Sequence, residues 1–289
     1  MDELLLFRRK DWTKAKNWPD FIGFLKSLRA SKWDLVVDFQ GLFRSGVCSI
    51  AARDNCWGFA DAREGATLFY KEKVSVPEGL QHAVDKNIYL LNKALGTNEP
   101  YESPKFKSDA ALIESASKLI TDNNLSSKMI AVAPVSRWES KNWPIDFYAA
   151  ALNKVYERDP ECSFWFVGTD DDYSTGEAIA ELCDFPIANL MGKTDLTLLF
   201  NLLSTSKALL SNDSGPMHMA AAVETPVVAM FGPTSAEKTG PYGIQHTVLQ
   251  SQVECSPCYN RLCPLEKQIC LDDFSPDKVA EILLKLTQS

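Results

Sequence analysis

The sequence predicts an α/β protein built from two doubly wound halves, and three observations predict it. Short apolar runs alternate with amphipathic helical segments along nearly the whole chain, the rhythm of parallel strands joined by crossover helices. A polar, breaker-rich stretch at 122–128 (DNNLSSK) interrupts that rhythm and reads as a linker. At 289 residues the chain is also long enough for two cores. The expected division is therefore 1–124 and 125–289.

The chain opens on the apolar run Leu4 to Phe7, expected as a short strand, followed by Arg8, Arg9, Lys10, Lys14 and Lys16 around Trp12. From Trp18 to Ala30, Phe21, Ile22, Phe24, Leu25 and Leu28 form one helical stripe. Trp33 to Phe39 (WDLVVDF) is apolar enough for a buried parallel strand, and Gln40 and Gly41 turn the chain into the next helix. Cys56 to Pro77 suggests short strands and a loop. Gln81 to Leu95 is an amphipathic helix that Gly96 ends, glycine tolerating the left-handed conformation of a helix C-cap. Ser108 to Thr121 is a further helix.

A second rhythm starts with the strand Met129 to Ala133, the loop 134–144 (PVSRWESKNWP) and the helix Ile145 to Glu157. The strand Ser163 to Val167 leads through Gly168 and a run of aspartates to a helix from Tyr173 to Cys183. Ile187 to Leu190 is a short strand, and Gly192-Lys193-Thr194-Asp195 precedes the helix Leu196 to Ser206. The strand Ala208 to Leu210 then meets the polar string Ser211-Asn212-Asp213-Ser214-Gly215 and a helix start, with Asp213 or Ser214 expected to cap it. Pro226 to Phe231 and His246 to Leu249 complete the strands. Ser275 as cap and Pro276 in the first turn open a terminal helix reaching Thr287.

Composition excludes several function classes. Hydrophobic residues at 45% and charged residues at 24% are ordinary for a globular protein, and a net charge of -8 opposes a general nucleic-acid surface. No apolar run approaches the roughly 18 residues of a membrane span, and no signal-peptide core is present at the N-terminus, so the cytoplasm is expected. Neither a GxGxxG nor a GxxxxGK[ST] string occurs, which removes the common dinucleotide and P-loop readings.

Four loops of the second half each follow a strand, so a parallel sheet would open them all on one edge. They carry Ser136, Arg137 and Lys141; Gly168 and Asp172; Lys193 and Thr194; and Asp213, Ser214, Gly215 and His218. Cations, hydroxyls and the N–H groups of a helix start suit a diphosphate, and a carboxylate suits sugar hydroxyls. The cysteines fall into two sets. Cys48, Cys56, Cys162 and Cys183 read as small buried hydrophobes. Cys255, Cys258, Cys263 and Cys270 have the spacing C-x2-C-x4-C-x6-C, which can close a zinc site or form disulfides; in a reducing compartment free thiols are the preferred reading.

The strings 211–234 (SNDSGPMHMAAAVETPVVAMFGPT), 136–144 (SRWESKNWP) and 36–46 (VVDFQGLFRSG) resemble the lipopolysaccharide heptosyltransferases of glycosyltransferase family nine. The resemblance covers nearly the whole chain. It implies two facing Rossmann-like domains of the GT-B architecture, the C-terminal one holding ADP-heptose and the N-terminal one the Kdo or heptose of a lipid A core. The implied reaction is an inverting transfer that requires no metal or other cofactor, carried out by a monomer in the cytoplasm with peripheral contact at the inner membrane.

Carried over by position, Ser136, Arg137 and Lys141 meet the diphosphate, Asp172 and Thr194 line the nucleoside, and Asp213 holds heptose hydroxyls. Ser214, Gly215 and His218 form the phosphate-proximal helix start. Arg8, Arg9, Lys10, Gln40 and Arg44 fall on the acceptor side, where positive charge suits the Kdo carboxylate. In the family a strand, a G-D turn and a helix come first, and that turn carries the aspartate assigned as base. Met1 aligns with a later part of the N-terminal domain, so that domain is expected to be incomplete and the catalytic base to have no counterpart here. Asp38, at a strand end, is the nearest carboxylate. The other reading is a shortened homologue that binds the nucleotide sugar without turning it over.

Overall fold

The computed structural model describes residues 3–288 apart from 13, 53, 54 and 266; the side chains of Arg9, Lys10 and Ala15 also lie outside the described part. The chain forms two compact units, Met1–Tyr101 and Glu102–Ser289.

The first unit contains α1 (Arg9–Trp12), α2 (Trp18–Ala30), β1 (Val36–Asp38), α3 (Phe43–Ala52), β2 (Cys56–Phe59), β3 (Glu72–Val74) and α4 (Ala83–Leu95). Among the described residues its sheet is β1-β2-β3, all parallel, with Val36 opposite Cys56 and Gly58 opposite Lys73. The strand expected at Leu4 to Phe7 is not formed: the segment is irregular, and Leu4 and Leu6 are each 67% exposed. Among the described residues no strand pairs with this backbone, and its apolar character is used in side-chain contacts instead. Phe7 packs edge-on against Trp12 at 4.9 Å and Phe24 at 5.9 Å, tying the N-terminus to the stripe of α2. At the other end of the unit, α4 stops where expected, at Gly96 with φ 68°, while the His82 imidazole accepts from the Val84 N–H to cap its start.

The second unit contains α5 (Ala110–Asp122), β4 (Lys128–Ala133), α6 (Ile145–Arg158), β5 (Cys162–Phe166), α7 (Tyr173–Ala180), β6 (Ala188–Asn189), α8 (Leu196–Thr205), β7 (Ala208–Asn212), α9 (Gly215–Ala222), β8 (Val227–Phe231), α10 (Ala236–Thr239), β9 (Thr247–Gln250), α11 (Ile269–Asp272) and α12 (Pro276–Thr287). The 101/102 division precedes the expected 124/125 boundary because α5 belongs with the second core: Ala116, Leu119 and Ile120 pack with Leu199, Leu202 and Leu203 of α8.

The sheet of this unit is parallel, in the order β6-β5-β4-β7-β8-β9. Counted from β4, that is the doubly wound order 3-2-1-4-5-6. Side chains alternate across β4. Ile130 and Val132 enter a core with Leu152 and Val155 of α6 and Val279 and Leu283 of α12, whereas Met129, Ala131 and Ala133 join Leu202 of α8 and Met217 and Ala220 of α9. Helices therefore cover both faces, which accounts for the continuous apolar strands in the sequence. Truncating Ile130, wholly buried, would cost about 2–5 kcal/mol.

Candidate functional site

The order of the second sheet reverses between β4 and β7, and in open parallel sheets ligands bind beyond the carboxyl ends of the strands at that reversal. The loop after β4 carries Ser136 and Lys141; the loop after β7 carries Asp213 and Ser214 and leads into Gly215, the first residue of α9. The two loops are joined through their side chains. Lys141 Nζ donates to Asp213 Oδ2 at 2.6 Å, and the Ser136 hydroxyl donates to the Asp213 carbonyl at 3.1 Å. A third loop, after β8, adds the Thr234 hydroxyl, which donates to the same Asp213 Oδ2 at 2.7 Å.

Asn212 fixes the arrangement from beneath. Its Oδ1 accepts from the Trp143 N–H at 3.2 Å and the Tyr148 hydroxyl at 3.0 Å, and its Nδ2 donates to the Pro134 carbonyl at 2.7 Å. All of this is buried, and burial raises the Tyr148 phenol well above its ordinary pKa, so it remains a donor.

The expected side-chain cap on α9 is not made. Asp213 is engaged by Lys141 and Thr234, and the Ser214 hydroxyl lies 3.2 Å from that of Ser211; the N-cap is Ser214, without a side-chain bond into the helix. The first turn of α9 thus has no side-chain cap from Asp213 or Ser214. Space is left there, since a Cβ added at Gly215 would meet no atom within 4 Å. His218, one turn further, is exposed.

The remaining residues selected from the sequence divide. Arg137 is exposed on the β4 loop beside this site. Asp172 turns back on its own loop, its Oδ2 accepting from the backbone N–H of Thr169 at 2.8 Å and from the Thr169 hydroxyl at 2.7 Å. Gly168 sits close to that carboxylate: a Cβ added there would lie 3.1 Å from Asp172 Oδ2. Thr194 is half-buried ahead of Asp195, the N-cap of α8, while Lys193 is pinned by its bond to the Asn189 carbonyl at 2.8 Å.

The family model described as glycosyltransferase family 9 (heptosyltransferase) matches residues 22–269. The chain belongs to glycosyltransferase family 9. Lipopolysaccharide heptosyltransferase 1 of Pseudomonas aeruginosa is 25% identical to it, the match covering 95% of this chain and 79% of that one. The family 9 glycosyltransferase of Veillonella parvula superposes with a TM-score of 0.76 at 20% identity, over 92% of this chain and 78% of that one. E. coli heptosyltransferase WaaC with ADP gives 0.72 at 23% identity, over 96% and 80%. These likenesses show the fold, and the GT-B expectation holds.

In this family 9 member the cysteine segment lies against the same loops. Cys255, Cys258, Cys263 and Cys270 line one cavity of about 130 Å³ together with Ser140 and Gly232. All four are free thiols, and among the described residues no group of three or more His, Cys, Asp or Glu side chains is arranged to hold a metal ion. Burial, and then the neighbouring cysteines, push the Cys270 thiol up to about 11.

In the first unit, Gln40 and Arg44 come together, Arg44 Nε donating to Gln40 Oε1 at 3.4 Å, and both line a cavity of about 640 Å³ on β1, α2 and α3. Arg8 is exposed ahead of α1, and the side chains of Arg9 and Lys10 lie outside the described residues. Asp38 lines the cavity too, but its oxygens are engaged: Oδ1 accepts from the Gln40 and Gly41 N–H groups and Oδ2 from the Tyr70 hydroxyl at 2.6 Å. Burial first, and that carboxylate second, hold the Tyr70 phenol well above its ordinary pKa. Asp38 therefore builds the turn between β1 and α3. Among the described residues no helix is long and apolar enough to cross a membrane.

Two participants have no local signal of their own in the sequence. Thr234 closes a strand-loop string and Asn212 sits inside a polar turn. Each works through a partner distant in sequence, which no local spacing reveals.

Proposed function

We propose that this glycosyltransferase moves heptose from ADP-heptose to the Kdo or heptose of a lipopolysaccharide inner core, with inversion at the anomeric carbon. The observation that carries the reading is the Lys141–Asp213 pair at the sheet reversal, next to an uncapped helix start at Gly215. The second unit holds the donor. Lys141 and the first N–H groups of α9 receive the diphosphate and stabilise the charge that grows on it as the glycosidic bond breaks. Asp213 Oδ2 is held by Lys141 and Thr234, and Oδ1 accepts from sugar hydroxyls.

Arg137, Ser136, Ser214 and His218 complete the phosphate end, and Asp172 and Thr194 the nucleoside end. The first unit takes the acceptor, with Arg8, Arg9, Lys10, Gln40 and Arg44 meeting its acidic sugars, and works at the cytoplasmic surface of the inner membrane where that lipid resides. Inverting transfer needs a base on the acceptor hydroxyl; Asp38 is not assigned that role, because its oxygens already accept two hydrogen bonds within the turn and one from the Tyr70 hydroxyl.

The test is release of ADP from ADP-heptose in the presence of a Kdo-bearing lipid A acceptor, alongside calorimetric titration with ADP. ADP binding with acceptor-dependent release is expected. Protein that binds no ADP and releases none with either acceptor sugar removes the proposal.

A further inference from the structure

The phosphate end of the donor site is assigned two full cations, Lys141 and Arg137. Lys141, its central cation, is compensated by Asp213, whereas the leaving group is a multiply charged diphosphate. A further cation stands on the same platform. The indole of Trp138 lies under Lys141 Nζ at 4.5 Å and under the guanidinium of Arg261 at 5.6 Å. Arg261 belongs to the cysteine segment, between Cys258 and Cys263.

That segment is fastened to the site by its backbone. The Arg261 carbonyl accepts from the Ser140 N–H at 3.2 Å, the Asn260 carbonyl from the Ser140 hydroxyl at 2.6 Å, and the Pro233 carbonyl from the Tyr259 N–H at 2.8 Å. Gln268 adds a bond from Nε2 to the Glu139 carbonyl at 3.3 Å. Ser140 immediately precedes Lys141, and Pro233 immediately precedes Thr234. The segment is thus anchored one residue away from both side chains that hold Asp213 Oδ2.

We propose that Arg261 is a phosphate-binding residue of the donor site, brought to the diphosphate by the cysteine segment and held ready by stacking on Trp138. The proposal rests on the donor reading given above. Stacking suits the role: a guanidinium on an aromatic face loses part of its freedom before the ligand arrives, and its planar edge can bond two phosphate oxygens at once. It also gives the segment a use other than its thiols, as a clamp closing over the loops after β4 and β8.

The test is calorimetric titration of the full chain with ADP and with adenosine, for the unchanged protein, Arg261→Ala and Arg261→Lys. Arg261→Ala is expected to weaken ADP about tenfold while adenosine changes less than about twofold, with Arg261→Lys in between. Equal losses for both ligands would make Arg261 a prop for the loop and overturn the proposal. Unchanged ADP affinity in Arg261→Ala would overturn it while the donor reading stands. Failure of the unchanged protein to bind ADP would remove both. Thermal melting reports folding, and if Arg261→Ala does not fold, the same ADP-selective loss is required of Arg261→Lys.

Discussion

Lys141 Nζ donates to Asp213 Oδ2 across 2.6 Å, and this contact joins residues 72 apart in sequence at the point where the second sheet reverses its order. Their side chains are only 14% and 9% exposed, so each charge depends on the other. Lys141→Ala leaves Asp213 with Thr234 alone and is expected to cost roughly 2–3 kcal/mol in urea unfolding and to weaken ADP at least about tenfold. Asp213→Asn should behave differently. It keeps an oxygen for Thr234 and frees the lysine charge for phosphate, so ADP affinity should hold or rise while heptose transfer falls. Loss of ADP affinity in both variants, measured by calorimetry, would contradict this division of labour.

Asn212 predicts a stability effect without a direct ligand contact. Asn212→Ala removes an acceptor shared by Trp143 N–H and Tyr148 hydroxyl and a donor to Pro134, all buried, and is expected to lower the unfolding free energy by about 3 kcal/mol. Tyr148→Phe removes one of these bonds and should cost about 1 kcal/mol. A denaturant series on both variants checks the ratio.

The parts of this architecture that are legible from sequence are those that depend on local pattern. Apolar runs locate the strands, Gly96 locates the end of α4, and Ser275 and Pro276 locate α12, whose bounds match the expectation. That the loops carrying the candidate residues share one edge is legible too, because strand-following loops must do so in a parallel sheet. What each residue bonds to is not. Asp213 and Ser214 look like caps for α9, and a cap would form were there no competitor; Lys141 and Thr234 take the carboxylate and Ser211 the hydroxyl. Asp172 also closes a capping box with Thr169, a local bond that its place in a run of three aspartates does not single out. Leu4 to Phe7 fails as a strand for a related reason: strand formation needs a partner edge, and here aromatic contacts claim the segment.

His246 predicts a pH dependence. Its Nδ1 accepts from the Val227 N–H at 3.2 Å, which places the proton on Nε2, 3.3 Å from the Tyr242 carbonyl. Burial lowers its pKa below the usual 6.5, outweighing the opposing pull of that carbonyl. The folded state therefore keeps the ring neutral to lower pH than the unfolded state does. As pH falls through about 6.5 the unfolded chain takes up the proton first, so this contribution to stability is complete above that value and declines below it. The ring is only half-buried, which keeps the effect small. His246→Gln, which retains an acceptor, should flatten the fall in melting temperature between about pH 7 and 5.5. An unaltered slope would show that other groups set it.

Two glycines should respond oppositely to the same methyl group. At Gly215 an added Cβ meets nothing within 4 Å, and the residue is the first of α9, where alanine is at least as favourable as glycine. Gly215→Ala should therefore leave the melting temperature unchanged or slightly raised, yet its methyl occupies the space through which phosphate approaches the helix start, and ADP affinity should drop by about tenfold or more. At Gly232 an added Cβ would lie 2.8 Å from Cys270 Sγ and 2.9 Å from Leu271 Cδ2, both buried in the second core. Gly232→Ala should cost about 1–3 kcal/mol by overpacking and loosen the cysteine segment from the β8 loop. Because Tyr259 and Ser256 bond the backbone of that loop, the loss should reach Thr234 and with it Asp213. Melting curves and ADP titrations on the pair separate the two mechanisms: binding lost with stability kept at Gly215, and stability lost first at Gly232. A Gly215→Ala protein that binds ADP normally would show that the diphosphate does not sit on α9.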